Sequence, residues 1–276
     1  MIHFIRKPGL LLLMLTLLIC GGCSGKQQTE EVKEKGKPQA VVADPEPQKP
    51  VAVQPPAKPE KPPVPPKKFL VYIDPGHQRK ANTGQEPVGP GAAETKMKVT
   101  GGATGVATKK PEYVLALEAS LILKELLEQK GFQVMMTRTT HDVDLSNRQR
   151  AEMANQQHAD LLIRIHADSS ESQGTKGLSV LTPSNQNPYT KAIYEDSLRA
   201  SQLILSEVKK NSAVSVLGIR YRDDLSGFNW SKVPSTLVEM GYMSNPEEDR
   251  KMSDPTYLRA LMGNLADGIV AYAAGK

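Results

Sequence analysis

Short apolar segments rich in β-branched and aromatic residues alternate with longer amphipathic segments from residue 69 to residue 276. The apolar segments have the length of buried strands, and the intervening segments have the length and periodicity of helices. The predicted strands are 69–73, 132–137, 161–166, 177–181, 219–222 and 235–240, and the predicted helices are 111–130, 145–157, 189–210 and 255–274. Because alternating strands and helices are typical of a mostly parallel sheet, we predict one α/β domain over residues 68–276.

The distribution of charge argues against a nucleic-acid partner. The net charge is +5, but residues 69–276 contain 24 Lys and Arg against 24 Asp and Glu, so the predicted domain has no basic excess to neutralise phosphates. Both cysteines, Cys20 and Cys23, lie near the N-terminus. The predicted domain therefore has no disulfide and no cysteine-based zinc site.

The N-terminus has the organisation of an export signal. Arg6 and Lys7 precede an apolar run over residues 10–19, which is too short to span a bilayer comfortably. Gly21-Gly22-Cys23 follows and resembles a bacterial lipobox. We predict that residues 1–23 are a lipoprotein-type signal and that Cys23 carries the lipid. Ordinary cleavage near Gly22 and an uncleaved anchor are the alternatives.

Residues 24–67 are predicted to be a disordered tether. The first part is rich in Lys and Glu, and residues 37–66 contain 11 of the 21 prolines. Such composition favours extended polyproline II spacers. A ligand for a proline-binding domain is the alternative.

Four side chains that suit metal chemistry fall at predicted element ends. His77 follows the first strand, His166 ends the third, Glu239 lies near the end of strand 235–240, and Glu112 opens the first helix. Two imidazoles, one carboxylate and a second carboxylate as base form a set typical of zinc hydrolysis. Each residue also has a structural alternative, since a histidine can serve only a hydrogen bond and Glu112 only the helix dipole. Glu239 lies between Val238 and Met240, and a buried carboxylate needs a partner or a role.

The two other histidines of the predicted domain have no such context. His141 falls in a predicted loop, and His158 follows a predicted helix beside Gln156 and Gln157. We predict that both lie on the surface.

Several segments of the domain form one ordered set. They are Ile73-Asp74-Pro75-Gly76-His77, Thr137-Arg138, Leu145-Ser146-Asn147-Arg148, Ala154-Asn155, Ala159-Asp160-Leu161, Ile165-His166-Ala167-Asp168 and the run from Val233 to Glu248. In order and in register, this set resembles the zinc-dependent N-acetylmuramoyl-L-alanine amidases of the third amidase family.

The resemblance implies a mixed, mainly parallel, roughly six-stranded sheet flanked by helices. It also implies Zn²⁺ bound by His77, Glu112 and His166, with Glu239 as the catalytic residue. Arg138, Arg148 and Arg164 are candidates for binding lactyl or peptide carboxyl groups, or are structural.

One segment departs from the family pattern. Gln78 and Arg79 stand where the family commonly has two glycines, and the distance from His77 to Glu112 is longer than usual. We expect residues 78–110 to form a long loop without secondary structure of its own that borders the substrate groove.

The implied function is hydrolysis of the amide between N-acetylmuramic acid and the first L-alanine of the peptidoglycan stem peptide. Peptidoglycan is then the substrate, and the expected location is extracytoplasmic, on a membrane reached through the lipid of Cys23. We expect a monomer, and the sequence identifies no activating protein. A zinc peptidase acting on another cell-wall amide and a non-catalytic wall-binding lipoprotein are the alternatives.

Overall fold

The computed structural model describes residues 68–276, so the predicted signal and tether lie outside the described part of the chain. The strands of this part are β1 (Leu70–Pro75), β2 (Asn82–Pro87), β3 (Thr95–Val99), β4 (Gln133–Met136), β5 (Leu161–Asp168), β6 (Leu178–Pro183), β7 (Val216–Arg222) and β8 (Ser235–Tyr242). Its helices are α1 (Glu112–Gln129), α2 (Asn147–Gln156), α3 (Tyr194–Val208), α4 (Ser226–Asn229), α5 (Pro246–Ser253) and α6 (Pro255–Ala273). None of these helices is long and apolar enough to cross a membrane.

Six strands form the central sheet, in the order β4-β1-β5-β8-β6-β7. The neighbours β4, β1, β5 and β8 are parallel, whereas β6 runs antiparallel to β8 and parallel to β7. Every residue of β1 and β6 is buried, as expected for strands covered on both faces. The predicted α/β domain with a mixed, mainly parallel six-stranded sheet is therefore confirmed.

One face of the sheet packs against the long helices α1, α3 and α6. Alternate strand residues such as Val71, Ile163 and Val238 join Leu115 of α1 and Leu265 of α6 in the largest apolar cluster of the described chain. Since successive residues of a strand point to opposite faces, this cluster accounts for only half of each strand.

The opposite face has a thinner cover. Near β1 and β5, Tyr72 and Leu162 pack against Ala154 of α2. Farther across the sheet, Leu237 packs against Phe228 of the short helix α4. A cavity on this face is lined by Leu237 and by His166 and Glu239 near the carboxyl ends of β5 and β8.

The segment expected to be a long unstructured loop contains an antiparallel hairpin of β2 and β3, so that expectation was wrong. The polar sequence Asn82–Pro87 gave no apolar strand signal, and the hairpin depends on distant contacts. The backbone amide of Arg148 donates to Glu86 Oε1 (3.0 Å), the side chain of Asn147 donates to the Lys98 carbonyl (3.0 Å), and Trp230 Nε1 donates to the Pro87 carbonyl (2.9 Å).

Candidate metal and catalytic site

The backbone directly after β1 sets the position of His77. Gly76 donates its amide to the Ile165 carbonyl (2.9 Å), and a Cβ on Gly76 would collide with the His166 ring. His77 has a φ of 56°, a left-handed conformation that is uncommon for a residue with a side chain. Its Nδ1 lies 2.9 Å from the Thr100 carbonyl, and this contact requires the proton on Nδ1. In a neutral His77, this leaves the lone pair on Nε2, the nitrogen that faces Glu112 and could bind a metal ion.

Glu112, the first residue of α1, is almost fully buried, with 3% of its surface exposed. Its Oε1 lies 3.1 Å from His77 Nε2 and 3.1 Å from His166 Nδ1. Its Oε2 accepts the amide of Ala103 (2.8 Å). One carboxylate thus touches both imidazoles and is held in place by the chain that follows the hairpin.

The three side chains present a compact set of ligand atoms. One atom each from His77, Glu112 and His166 lies within 4.8 Å of the others, and no further group of this kind occurs among residues 68–276. His166 Nε2 is buried without a hydrogen-bond partner in the described chain, an orphan that a bound ion could satisfy. Two imidazoles and one carboxylate are the donor set of catalytic zinc sites, so these residues fit zinc.

Burial and the shared carboxylate set the charges of this cluster. Burial lowers the pKa of His166 to about 4, against the opposing effect of its hydrogen bond to Glu112, so the imidazole is neutral at pH 7. Burial also acts to lower the pKa of His77, but the hydrogen bond and charge of Glu112 outweigh it, and the net shift is upward. The pKa of Glu112 is lowered because its hydrogen bonds to both histidines overcome its burial.

Glu239 lies beside His166 because β5 and β8 are parallel and pair His166 with Glu239 in register. Paired residues of neighbouring parallel strands point to the same face of a sheet. Glu239 Oε2 is buried without a hydrogen-bond partner in the described chain. Burial raises the pKa of Glu239 well above its usual value, with further upward contributions from the charges of Glu112 and Asp168. A proton therefore binds more tightly to Glu239 than to an exposed carboxylate.

A buried charge network lies beneath the site. The carboxylate of Asp74, fully buried in β1, accepts from Arg150 Nη1 (2.8 Å), Arg164 Nε (2.8 Å) and Thr137 Oγ1 (2.6 Å). Arg150 also donates to the carbonyls of Pro75 and His77, so it clamps the turn that carries His77.

Arg150 was missed from the sequence, although a signal for it exists. Its neighbour Ala151 and Ala154, one turn later, form the buried stripe of α2. An arginine on such a stripe needs a buried anionic partner.

The three predicted arginines have different surroundings. The buried guanidinium of Arg138 donates to the carbonyls of Pro75, Gly76, Tyr113 and Thr140, which makes it a backbone support. Arg148 pairs with Glu152 (2.7 Å) and stacks over the Trp230 ring (4.0 Å). Arg164 faces the cavity, and Gly227 leaves room for its guanidinium.

A cavity of about 450 Å³ lies beside the candidate ligands and Glu239. His77, His166 and Glu239 line it together with Arg164 and Leu237. Residues of β3 and of the start of α4 are also part of the lining.

The two remaining histidines of the described chain lie outside the cluster. His158 is exposed, as predicted. His141 is half-buried, with its ring against Tyr113.

Comparisons with known proteins identify the family of the chain and relatives that share its fold. A model of the family described as N-acetylmuramoyl-L-alanine amidase matches residues 71–271. An N-acetylmuramoyl-L-alanine amidase of Mycobacterium tuberculosis is 28% identical over 219 residues, which cover 75% of this chain and 87% of the relative. The probable amidase AmiB of Haemophilus influenzae is 29% identical over 248 residues, covering 75% of this chain and 53% of that protein, so the match spans about half of its length.

Solved structures share the fold. The amidase Ami1 of Mycobacterium smegmatis superposes with a TM-score of 0.68 at 24% identity, covering 75% of this chain and 98% of the other. Ami1 of Mycobacterium abscessus gives a TM-score of 0.66 at 28% identity, covering 74% and 98%. Because the family model spans well over half of the sequence, the chain belongs to the N-acetylmuramoyl-L-alanine amidase family.

Proposed function

We propose that this protein is a zinc-dependent peptidoglycan amidase that hydrolyses the amide between N-acetylmuramic acid and L-alanine of the stem peptide. One observation carries the proposal: His77, Glu112 and His166 converge beside Glu239, whose Oε2 is buried without a hydrogen-bond partner in the described chain, in a substrate-sized cavity. A protein that only bound the wall would not need a buried carboxylate without a partner, because that carboxylate costs stability.

His77, Glu112 and His166 would hold the ion. Zinc bound there supplies a Lewis acid for the amide carbonyl and lowers the pKa of a water molecule. Thr100 fixes the tautomer of His77, and Ala103 fixes the orientation of the Glu112 carboxylate. Such contacts behind the ligands are expected to matter for affinity, since they orient the donor atoms before binding.

We assign to Glu239 the role of general base and then of general acid. Its carboxylate accepts a proton from the attacking water and then delivers that proton to the nitrogen of the departing alanine. Burial raises the pKa of Glu239, and a raised pKa suits a carboxyl group to both transfers. The register with His166 keeps the carboxylate next to the ligand set.

Substrate contact is proposed for Arg164 alone among the three predicted arginines. Its Nε is occupied by Asp74 and its Nη2 by Asn147, yet the side chain still lines the cavity. Arg138 and Arg148 do not line it.

The wider setting is also a proposal. The enzyme is exported and held at the membrane by a lipid on Cys23, residues 24–67 act as a tether, and residues 68–276 act on the wall. The prolines between residues 37 and 66 suit a spacer that keeps the catalytic domain away from the membrane.

Dye-labelled peptidoglycan tests the central proposal. The purified protein should release dye, a chelator should stop the release, and added Zn²⁺ should restore it. Mass spectrometry of the products should show peptides that begin with a free alanine and glycans that keep the lactyl carboxylate. Cleavage at another amide would indicate a different cell-wall peptidase, and binding to the wall without release would indicate a non-catalytic protein.

A further inference from the structure

A group of charged side chains that are not among the proposed metal ligands lines the same cavity. It consists of Lys96 on β3, Arg222 at the end of β7, and Asp224 just after β7, and we call it the Lys96–Asp224–Arg222 cluster. Arg222 binds Asp224 through two parallel contacts, Nε to Oδ1 (2.7 Å) and Nη2 to Oδ2 (2.8 Å). Lys96 Nζ donates to the Asp224 carbonyl (2.8 Å) and lies 3.3 Å from its Oδ2.

Two cations in this cluster share a single carboxylate, which leaves one positive charge without a partner in it. The hydrogen bond from Arg222 lowers the pKa of Asp224 to about 2, against the opposing effect of burial, so Asp224 already contributes its full negative charge. The rest of the cavity lining adds one cation, Arg164, and one carboxylate, Glu239. The guanidinium of Arg164 pairs with Asp74, a carboxylate that it shares with Arg150.

The cluster lines the same cavity as the proposed reaction centre. The scissile amide belongs at His77, His166 and Glu239, and Lys96, Arg222 and Asp224 line that cavity with them. The lactyl carboxyl of the sugar is itself part of the amide that is cleaved, so the glycan brings no negative charge to the cavity. Negative charge on the uncleaved substrate comes from free carboxyl groups of the stem peptide.

We propose that the Lys96–Asp224–Arg222 cluster binds a free carboxylate of the stem peptide and makes the enzyme prefer stems in which that carboxyl is not amidated. The inference rests on the proposed function and specifies the substrate class of the same site. Lys96 comes from the hairpin, so the segment that departs from the family pattern supplies part of the specificity.

A purely structural role for these contacts gives a different result. If Lys96 and Asp224 only hold the hairpin against the β7–α4 connection, removal of either partner should damage the cavity equally. If the cluster binds a carboxylate, the two changes should act in opposite directions. Lys96→Met removes a cation, whereas Asp224→Asn leaves Lys96 and Arg222 both free for the substrate.

The experiment compares two muropeptides that differ only in whether one stem carboxyl is free or amidated. Wild-type enzyme should have the lower KM for the free acid. Lys96→Met should raise that KM by roughly fivefold, the size expected for loss of a half-exposed charge pair, with kcat and the amidated substrate little changed. Asp224→Asn should keep or increase the preference.

Lys98→Met is the matched control, because Lys98 lies on the same strand but does not line the cavity. It should leave both KM values unchanged. Arg222 is left intact in this test, because its charge lowers the pKa of Glu239 and its loss would alter the proposed base.

Equal cleavage of the two muropeptides by wild-type enzyme would overturn the inference and leave the amidase function standing. If Lys96→Met and Asp224→Asn each raised KM equally for both substrates, the cluster would serve only to support the hairpin. Failure of wild-type enzyme to cleave either muropeptide or the wall would overturn the proposed function, and the inference with it.

Discussion

At the scale of single residues, the proposed ligands are separable from the proposed base. His77, Glu112 and His166 lie in mutual contact range, whereas Glu239 adjoins them through the β5–β8 register and is not part of the ligand group. The loss of a ligand and the loss of the base should therefore give different phenotypes.

His77→Ala and His166→Ala should each lose both bound zinc and activity, because a catalytic zinc site needs three protein ligands and only two would remain. Metal content of the purified variants, measured by elemental mass spectrometry, checks this. His158→Ala, at an exposed imidazole outside the cluster, is the control and should retain about one zinc per chain. A zinc-loaded His77→Ala or His166→Ala variant would show that the ligand set is wrong.

Glu239→Gln should keep its zinc and its fold while turning over at least ~100-fold more slowly, the usual cost of losing general-base assistance. Glutamine is nearly isosteric with glutamate and still forms hydrogen bonds, but it cannot accept the proton of water. Zinc content and kcat/KM measured on one preparation decide the point. A zinc-free variant would make Glu239 a ligand, and one of near wild-type speed would make it a structural residue.

At the scale of elements, the buried carboxylate of Asp74 joins β1 to α2 and β5. Asp74→Asn should lower the free energy of unfolding by about 3–5 kcal/mol, because it leaves the buried guanidinium groups of Arg150 and Arg164 without a full counter-charge. Urea unfolding monitored by circular dichroism measures the loss. Glu125→Gln, at an exposed ion pair with Arg259, is the control and should change the stability very little.

Asp74 should also make the free energy of unfolding depend on pH. The pKa of Asp74 is lowered in the folded state because the charges of Arg150 and Arg164 outweigh its burial. A carboxyl with a lowered folded pKa stabilises fully above its unfolded pKa of about 3.9, and this contribution is lost as the pH falls through the folded value. Wild-type protein should therefore lose this stability below about pH 4, and Asp74→Asn should lack that component.

The hairpin of β2 and β3 forms one side of the cavity through residues such as Met97 and Val99. Replacement of residues 83–98 by a two-residue Asn-Gly turn should leave zinc bound, because Thr100 and Ala103, which hold His77 and Glu112, are kept. We expect kcat/KM on polymeric wall to fall roughly tenfold, equal to about 1.4 kcal/mol of lost binding. Unchanged kinetics on wall and on muropeptides would show that the hairpin is dispensable for catalysis.

At the scale of the whole molecule, the proposed anchor determines where the catalytic domain acts. Metabolic labelling with a palmitate analogue should mark the full-length protein, and Cys23→Ala should abolish the mark, because the lipobox pattern places the acylated residue there. Cys20→Ala is the control and should keep the mark. Label that survives in Cys23→Ala but disappears in Cys20→Ala would show that Cys20 carries the lipid. A protein with no label at all would be a simple secreted enzyme.

The sequence predicted the elements of the domain better than their contacts. All six predicted strands and all four predicted helices occur, because apolar periodicity is a local property of the chain. The short helices α4 and α5 and the hairpin were not predicted, since their residues are mostly polar. The candidate ligands and Glu239 were identified by residue type and element ends, whereas Arg138 and Arg148 proved to be away from the cavity.

By itself, the sequence determined the α/β class, the strand segments and the kinds of side chain at their ends, because these depend on composition and spacing within a few residues. Only the tertiary structure decided which side chains meet. Asp74 meets Arg150 across 76 residues of chain, Lys96 meets Asp224 across 128, and His166 lies beside Glu239 through strand register. Such pairings depend on the packing of distant segments, and a local pattern does not encode that packing.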